Sequence, residues 1–298
     1  MITGLTHPGI TVSNLENWLA FIRNVLEANH IQSQVSDQQY LSNVTGLPNA
    51  KLKIGFVRFA ENSFPLEIIE YTNPPGTRQN PQYGCIGYSH LGFQVYDIQS
   101  IYNNCLNYDV NVSDIFIEDH AFWGKYQCIY ISAPDGIPIK IIEFIDRELS
   151  DSSTQIHHTG ITVSDLDGAT KLMVENLGLD FVFRGRQNEN SCSDDSTLNY
   201  EFIVLKVPNH NFMIELKRIN NKHCAQIDMG HQHPGCLHHC FQVNDIFNDY
   251  DSLKLAGVNF VGAPAKVTAG VNRGAYAIYF IGFDGYRFEI FQKPPQRE

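Results

Sequence analysis

The chain has 298 residues, of which 32 are acidic and 21 are Lys or Arg, so its formal net charge is -11. Nucleic acids and anionic membranes bind clustered basic residues, so this balance argues against both partners and favours a small-molecule ligand. The seven cysteines form no Cys-x-x-Cys pair, the N-terminus has no secretory pattern, and no run approaches the ~20 apolar residues of a membrane span. These features predict a cytoplasmic protein.

Two motifs, each led by a histidine, occur twice. The run THPGITVSNL at 6–15 returns as HHTGITVSDL at 157–166, and SHLGFQVYDI at 89–98 returns as HHCFQVNDI at 238–246. Such internal repetition indicates one structural unit used several times, here four modules. The four motifs are led by His7, His90, His158 and His238.

The repeat spacing divides the chain into two predicted domains, 1–146 and 156–298, joined by a polar linker. Each module opens with a strand-like alternation that ends in an Asn or Asp able to cap a helix. The predicted caps are Asn14, Asp97, Asp165 and Asp245. The helices that follow them are predicted over 15–26, 98–106, 166–178 and 246–257, with Gly178 and Gly257 as C-terminal stops.

Three extended runs follow each helix, so each module is predicted to be βαβββ. The runs of the first module are 31–41, 51–60 and 64–72. Those of the fourth are 258–261, 275–281 and 286–292, with a hairpin turn at Asp284-Gly285. Four tandem modules predict an α+β fold, and the segments 184–197 and 218–236 are expected to be loops over a site.

Histidines and acids at equivalent strand positions indicate a metal site. Single strand histidines are more often ordinary core or surface residues, but here the pattern recurs. In the second half two imidazoles and two carboxylates can face one space, and this donor set suits one divalent cation of Fe, Ni, Zn, Co or Mn. The predicted ligands are His158, Glu215, His238 and Glu289.

The first half keeps His7, Glu67 and His90 but has Lys140 at the fourth position. An ammonium beside Glu67 could replace the metal charge by a salt bridge. The first half is therefore predicted to be a metal-free, structural domain, and a weak three-ligand site is the alternative.

With these histidines, the Asp-Gly turn and the terminal run DGYRFEI, the chain resembles the vicinal oxygen chelate superfamily, which includes glyoxalase I, methylmalonyl-CoA epimerase and extradiol dioxygenases. The resemblance covers nearly the whole chain and implies that paired modules form two incomplete barrels, with the metal in a barrel formed by residues 157–292. In glyoxalase-like and epimerase-like members a glutamate moves a proton on a substrate with adjacent oxygens, and here Glu215 and Glu289 are the candidates. This lyase or isomerase chemistry is the preferred prediction.

Two alternatives stay open. Extradiol dioxygenases hold their metal with two histidines and one glutamate, here His158, His238 and Glu289, and have a tyrosine where Tyr279 stands. They also have a histidine where this chain has Asn272, which weakens that interpretation. A non-catalytic protein that binds a drug-like molecule, as antibiotic-binding members do, is the other alternative.

Further candidate residues complete the predicted site. Tyr279 and His210 are candidate catalytic residues, because of their positions relative to Glu289 and Glu215. The candidate substrate contacts are Thr162, Cys240, Gln242 and Arg273. A structural zinc in the His- and Cys-rich tract 223–240 is a lesser alternative. The sequence does not fix whether modules pair within one chain or across a homodimer.

Overall fold

Four modules with a common order of elements make up the computed structural model, which describes residues 1–61, 63–79, 83–146, 154–190, 197–219 and 227–295. The first module consists of β1 (Gly4–Val12), α1 (Leu15–Val25), β2 (His30–Ser36), α2 (Tyr40–Thr45), β3 (Lys51–Arg58) and β4 (Leu66–Asn73). The second consists of β5 (Ser89–Gln94), α3 (Ile98–Asn107), β6 (Phe116–His120), β7 (Gly124–Ser132) and β8 (Pro138–Phe144).

The second half repeats this order. The third module consists of β9 (Gln155–Thr162), α4 (Leu166–Lys171), β10 (Asp180–Asn190), β11 (Thr197–Lys206) and β12 (Met213–Ile219). The fourth consists of β13 (Leu237–Gln242), α5 (Ile246–Leu255), β14 (Asn259–Phe260), β15 (Ala265–Lys266), β16 (Tyr276–Ile281) and β17 (Arg287–Gln292). Both halves thus confirm the predicted α+β class and its βαβββ units.

The helix starts follow the predicted caps. Asn14, Asp97, Asp165 and Asp245 all accept a hydrogen bond from the backbone N–H three residues later, which satisfies a free donor of the first helical turn. Gly178 and Gly257 have φ of +82° and +89°, a conformation that ends a helix at little steric cost. Asp284 and Gly285 both have positive φ at the predicted hairpin turn.

Three local predictions were wrong. The strand predicted over 31–41 ends at residue 36, and α2 follows it. The helix predicted over 166–178 changes at residue 172 into a π-helical turn, in which the Leu177 N–H donates to the Leu172 carbonyl. The segment 184–190 is strand rather than loop, because β10 pairs along its length with β11. Residues 147–153, most of the predicted linker, lie outside the described residues.

Two curled sheets carry the modules. Sheet A has the strand order β14-β16-β17-β13-β1-β4-β3-β2, with β15 paired to β16, and sheet B has the order β10-β11-β12-β9-β5-β8-β7-β6. The first module therefore pairs with the fourth, and the second with the third. The barrel implied for residues 157–292 alone is therefore wrong, because each sheet takes strands from both halves.

The two sheets share one register. In sheet A, adjacent strands place side by side His7, Cys240, Glu289 and Tyr279. In sheet B, the equivalent positions hold His158, Gly92, Lys140 and Tyr130. A second row contains Glu67, Gly9 and His238 in sheet A, and Glu215, Gly160 and His90 in sheet B. Each sheet has a bulge one residue before its first-strand histidine, so equivalent residues face the same way.

Buried apolar side chains of both sheets form one main core. Trp18 of α1, Phe93 of β5 and Phe288 of β17 belong to it. His239 lies in this core, where its ring contacts Phe288 and its Nε2 is 2.8 Å from the Thr159 hydroxyl of the other sheet. His239 therefore faces away from His238, in keeping with the alternation of side chains along a strand.

Membrane spans and cysteine pairing are two features that relate to the cellular location of the chain. No helix in the described ranges has the length and apolar character needed to cross a membrane. Among the described cysteines, Cys105, Cys128, Cys236 and Cys240 are free thiols, and Cys85 is disulfide-bonded. The cytoplasmic location and the homodimer stay predictions.

Candidate metal centre

Two histidines and two glutamates meet on one face of sheet A, and we call this set cup A: His7, Glu67, His238 and Glu289. Glu67 Oε2 lies 3.1 Å from His7 Nε2 and 3.4 Å from His238 Nε2. Glu289 Oε2 lies 3.8 Å from His7 Nε2. Strands β1, β4, β13 and β17 each supply one of these side chains, so the site needs both ends of the chain.

The four groups of cup A are buried, and their charges are strongly coupled. Burial raises the pKa of Glu67, but His7 and His238 outweigh this effect and hold that pKa well below its usual range. Burial, with a contribution from the charge of Glu67, raises the pKa of Glu289 to about 7. In the described chain neither carboxylate pairs with a lysine or arginine. The imidazoles are thus the charge compensation that these two buried carboxylates have among the described residues.

Two buried polar atoms support the fit of a cation to cup A. His7 Nε2 lies in an ion pair with Glu67 at 3.1 Å but has no further hydrogen-bond partner. The Tyr71 hydroxyl also has none, and its pKa is raised by burial and by the charges of Glu67 and Glu289. Buried polar atoms are rarely left unpaired. The residues present therefore fit a divalent ion held by imidazole and carboxylate donors.

Aromatic side chains and a thiol surround the donors. The Tyr279 hydroxyl lies 3.3 Å from His238 Nε2, and the ring of His231 stacks on Tyr279 with centroids 4.6 Å apart. Cys240 is fully buried between His7 and Glu289, and its sulfur lies within 4.8 Å of a donor atom of each. Burial and the charges of Glu289 and Glu67 raise the pKa of the Cys240 thiol well above its ordinary value.

A cavity of about 1240 Å³ reaches cup A at His7. Its walls include Arg58 and Phe56 of sheet A, and His210 from the turn between β11 and β12 of sheet B. Its described lining contains no Asp or Glu, although the whole chain is acidic. The cavity is therefore suited to an anionic small molecule.

Sheet B places a different set at the equivalent positions, and we call it cup B: His90, Lys140, His158 and Glu215. His90 Nε2 and His158 Nε2 are 3.1 Å apart. Glu215 binds His120 Nε2 at 3.2 Å and Lys217 Nζ at 3.2 Å. His90, His158 and Glu215 are close enough to hold an ion together, but the Lys217 ammonium already compensates the carboxylate.

Lys140 completes an internal ion pair in cup B. Its Nζ lies 2.8 Å from Glu118 Oε2 and 3.1 Å from the Tyr126 hydroxyl, and both acid and ammonium are buried. Trp123 covers the histidines, with its ring 4.5 Å from that of His120 and 4.4 Å from that of His158. The cavity that reaches cup A is not lined by any residue of cup B.

The predicted four-ligand set is divided between the two cups. His238 and Glu289 lie in cup A with His7 and Glu67, whereas His158 and Glu215 lie in cup B with His90. The physical reason is the pairing of β13 with β1 rather than β9. For the same reason Lys140 binds Glu118 and not Glu67, and the first half is not a separate structural domain.

The other predicted residues are also divided. Tyr279 and Cys240 belong to the surroundings of cup A, and His210 and Gln242 line its cavity. Thr162 is buried in sheet B beside Lys217, and Arg273 is exposed outside the cavity. Neither residue lines the cavity that reaches cup A.

The predicted zinc tract shows no shared site in its described part. Cys236 Sγ donates to the Asp228 carbonyl, whereas Cys240 lies in cup A. His233 contacts Asp228 and the backbone of Thr77. His223 and Cys224 lie outside the described residues.

Sequence reasoning missed His7 and Glu67 as partners of His238 and Glu289, and it missed Glu118 and His120 on β6. The sequence signal for the first two was present, because the first module carries both residues at the repeat positions. No repeat marks the residues of β6.

Comparisons with known proteins agree with this architecture. Residues 155–290 match the family model described as Glyoxalase/Bleomycin resistance protein/Dioxygenase superfamily. Glyoxalase I from Zea mays has a similar fold, with a TM-score of 0.67 at 13% identity over 97% of this chain and 92% of that one. A putative dioxygenase from Bacillus subtilis has a TM-score of 0.63 at 14% identity over 99% and 86%. No curated protein sequence matches the chain.

At such low identities the two structures show a shared fold and nothing further. The family match is a sequence result, and it covers the third module and nearly all of the fourth. The fold extends the likeness to the first two modules. The match of residues 155–290 and the fold of the whole chain are both consistent with the predicted resemblance to the vicinal oxygen chelate superfamily.

Proposed function

We propose that the chain is a metal-dependent enzyme that moves a proton on a small substrate with two adjacent oxygens, and that cup A is its active centre. The observation that carries this proposal is the meeting of His7, Glu67, His238 and Glu289 beside a cavity. They would hold one divalent ion of Fe, Ni, Zn, Co or Mn. When bound, the ion supplies Lewis-acid stabilisation of negative charge on a substrate oxygen.

The two glutamates have different surroundings, which supports different roles. Glu67 lies against both imidazoles and would stay in place as an anchor of the site. Glu289 has its nearest imidazole nitrogen at 3.8 Å and is therefore the less constrained carboxylate. We assign it the proton transfer, because a general base has to reach a substrate carbon and then release the proton. The Tyr279 hydroxyl would orient His238.

The cavity supports a substrate that carries negative charge. Arg58 and Lys293 bring positive charge to its walls, and Gln242 and Asn272 offer hydrogen bonds. If the anionic group of a small substrate binds there, the two adjacent oxygens at the other end of that substrate would lie near His7. His210 lines the same cavity and is a candidate second proton carrier.

Ring cleavage is the second candidate function. The position of Tyr279 beside His238 supports it, since the family resemblance implies a tyrosine at this place in extradiol dioxygenases. The carboxylate of Glu67 argues against it, because a fourth protein donor leaves less room for a bidentate substrate and dioxygen together.

Matched variants of the two cups test the proposal. Glu67 and Glu215 occupy the same position in sheets A and B, so Glu67→Gln and Glu215→Gln are the same change at two sites. We expect the wild type to bind about one divalent ion per chain, Glu67→Gln to lose it, and Glu215→Gln to keep it. Elemental analysis after gel filtration measures this.

Substrate panels then separate the reactions. The substrates are anionic α-hydroxycarbonyl compounds and thiol adducts of 2-oxoaldehydes. Exchange of their carbon-bound protons with solvent, without oxygen uptake, would support proton transfer. Oxygen uptake on catechols would support the dioxygenase. A wild type that binds none of the five metals would refute both.

A further inference from the structure

Cys240 stands at a position where the other three modules have glycine. Each leading histidine is followed two residues later by glycine, in His7-Pro8-Gly9, His90-Leu91-Gly92 and His158-Thr159-Gly160, whereas the fourth module has His238-His239-Cys240. The glycines are explained by close packing against a cross-strand histidine. A Cβ would lie 1.9 Å from the His238 ring at Gly9, 2.0 Å from the His158 ring at Gly92, and 2.1 Å from the His90 ring at Gly160.

The cysteine therefore changes the arrangement of cup A. Cys240 is equivalent to Gly92, and its cross-strand partner His7 is equivalent to His158. Because Cys240 has a Cβ, the His7 ring cannot take the position that the His158 ring takes over Gly92. The imidazole is displaced from its neighbour strand, and a thiol occupies part of the space.

The thiol lies among donor atoms. Cys240 is paired in register with His7 on one side and Glu289 on the other, so all three side chains project from the same face of sheet A. Its sulfur, a His7 nitrogen and a Glu289 oxygen all lie within 4.8 Å of one another. This spacing allows a single ion to contact all three.

His7 gives a second, independent indication of a ligand. Its Nε2 is buried and has no hydrogen-bond partner beyond its ion pair with Glu67, and it belongs both to the group with Cys240 and Glu289 and to the group with Glu67 and His238. An ion bound by His7, Cys240 and Glu289 would satisfy this nitrogen.

We propose that Cys240 is a sulfur donor to the cation of cup A and gives this centre a preference for thiophilic ions such as Zn²⁺, Co²⁺ and Cd²⁺ over Mn²⁺ and Mg²⁺. The inference rests on the proposed function, because it presumes that cup A binds a metal. On binding, the sulfur–hydrogen bond breaks, the proton goes to solvent and a sulfur–metal bond forms. The negative charges of the Cys240 sulfur and of one glutamate then balance the two charges of the ion.

Cobalt loading tests the sulfur contact directly. The full chain is stripped of metal and loaded with Co²⁺, and its near-ultraviolet absorption is recorded. We expect a sulfur-to-cobalt charge-transfer band in the wild type and in Cys236→Ser, a control at another buried free cysteine. The band should be absent in Cys240→Ser and Cys240→Ala.

Metal competition provides the second readout. Loss of the sulfur should lower Zn²⁺ affinity by at least about 10-fold, the lower end for losing a group that supports a metal site, and should change Mn²⁺ affinity much less. Co²⁺ bound without the band, or an unchanged Zn²⁺ to Mn²⁺ preference in both Cys240 variants, would overturn the sulfur contact and leave the proposed function standing. A wild type that binds no ion would overturn both.

Discussion

The imidazole of His238 lies over Gly9, its partner on the neighbouring strand, so closely that a Cβ on residue 9 would be 1.9 Å from His238 Cε1. The His238 ring cannot stay where it is and also avoid a Cβ at so short a distance. Gly9→Ala should therefore push His238 out of cup A. We expect the variant to lose most of its bound metal and about 1–3 kcal/mol of unfolding free energy from overpacking. Elemental analysis and urea unfolding measure the two effects.

Gly160→Ala is the matched control. It creates the same steric conflict with His90 in cup B, where a Cβ would lie 2.1 Å from the ring. A similar loss of stability is expected, but with the metal retained. If the two variants lost metal equally, cup A would not be the binding centre.

The buried ion pair of Lys140 and Glu118 should show a large cost when one partner is removed. Lys140→Met leaves the Glu118 charge buried without its ammonium, so we expect a loss of about 3–5 kcal/mol in unfolding free energy. The double variant Lys140→Met/Glu118→Gln should recover much of that loss, because no lone charge remains. Bound metal should be unchanged in both.

The pair Lys125 and Asp119 on the same hairpin provides the contrast. Its charged atoms are 4.0 Å apart and both side chains are mostly exposed, so Lys125→Met should cost less than about 1 kcal/mol. Urea unfolding of all four proteins forms the test. Equal losses at Lys125 and Lys140 would contradict a buried network in cup B.

Glu215 should make the protein sensitive to acid. Burial raises the pKa of Glu215, but Lys217 and His120 outweigh it and lower the pKa to about 2, against an ordinary value of 4.5. A carboxylate with a lower pKa in the folded state stabilises the fold above its unfolded-state pKa, and this contribution is lost as the pH falls from 4.5 towards 2. Metal-free protein should therefore lose unfolding free energy steadily across that window.

Glu215→Gln removes this titration, so its stability should change less over the same window than that of wild type. Unfolding free energies at a series of pH values, all in metal-free buffer, compare the two. Parallel curves would show that Glu215 is not held ionised by its neighbours.

Cavity charge should control the choice of substrate. Arg58→Met and Lys293→Met each remove one positive charge from the cavity wall without changing a proposed ligand. We expect a lower kcat/KM for anionic substrates, by about 10-fold for a lost charge-assisted contact of about 1.5 kcal/mol, with neutral dicarbonyls little affected. Metal content should stay that of wild type. An equal fall for charged and neutral substrates would point to a structural role instead.

Local structure was readable from the sequence because its causes are local. The caps Asn14 and Asp165 bond backbone groups three residues away, and Asp284-Gly285 turns the chain within one hairpin. The π-helical turn at 172–176 was not foreseen, since its difference from an α-helix is a shift of one hydrogen-bond partner. The residue types that make up the candidate site followed from the repeat.

The pairing of modules could not be derived in the same way. His238 and Glu289 find a histidine and a glutamate in the third module, His158 and Glu215, and equally in the first, His7 and Glu67. Both pairings complete a donor set, so the residue pattern favours neither. The choice depends on how strands distant in sequence pack, and no local signal records that.

The pairing of the first module with the fourth has a consequence for biosynthesis. Sheet B is built from one continuous stretch, between Ser89 and Ile219, and is nested inside a sheet whose strands come from both flanks. Domains tend to fold as units while the ribosome is still adding residues, so sheet B can form early. Strand β1 can pair only after β13 and β17 have been synthesised. We expect nascent chains halted before Arg287 to resist protease around sheet B yet to capture no metal, so that the centre is the last part of the protein to mature.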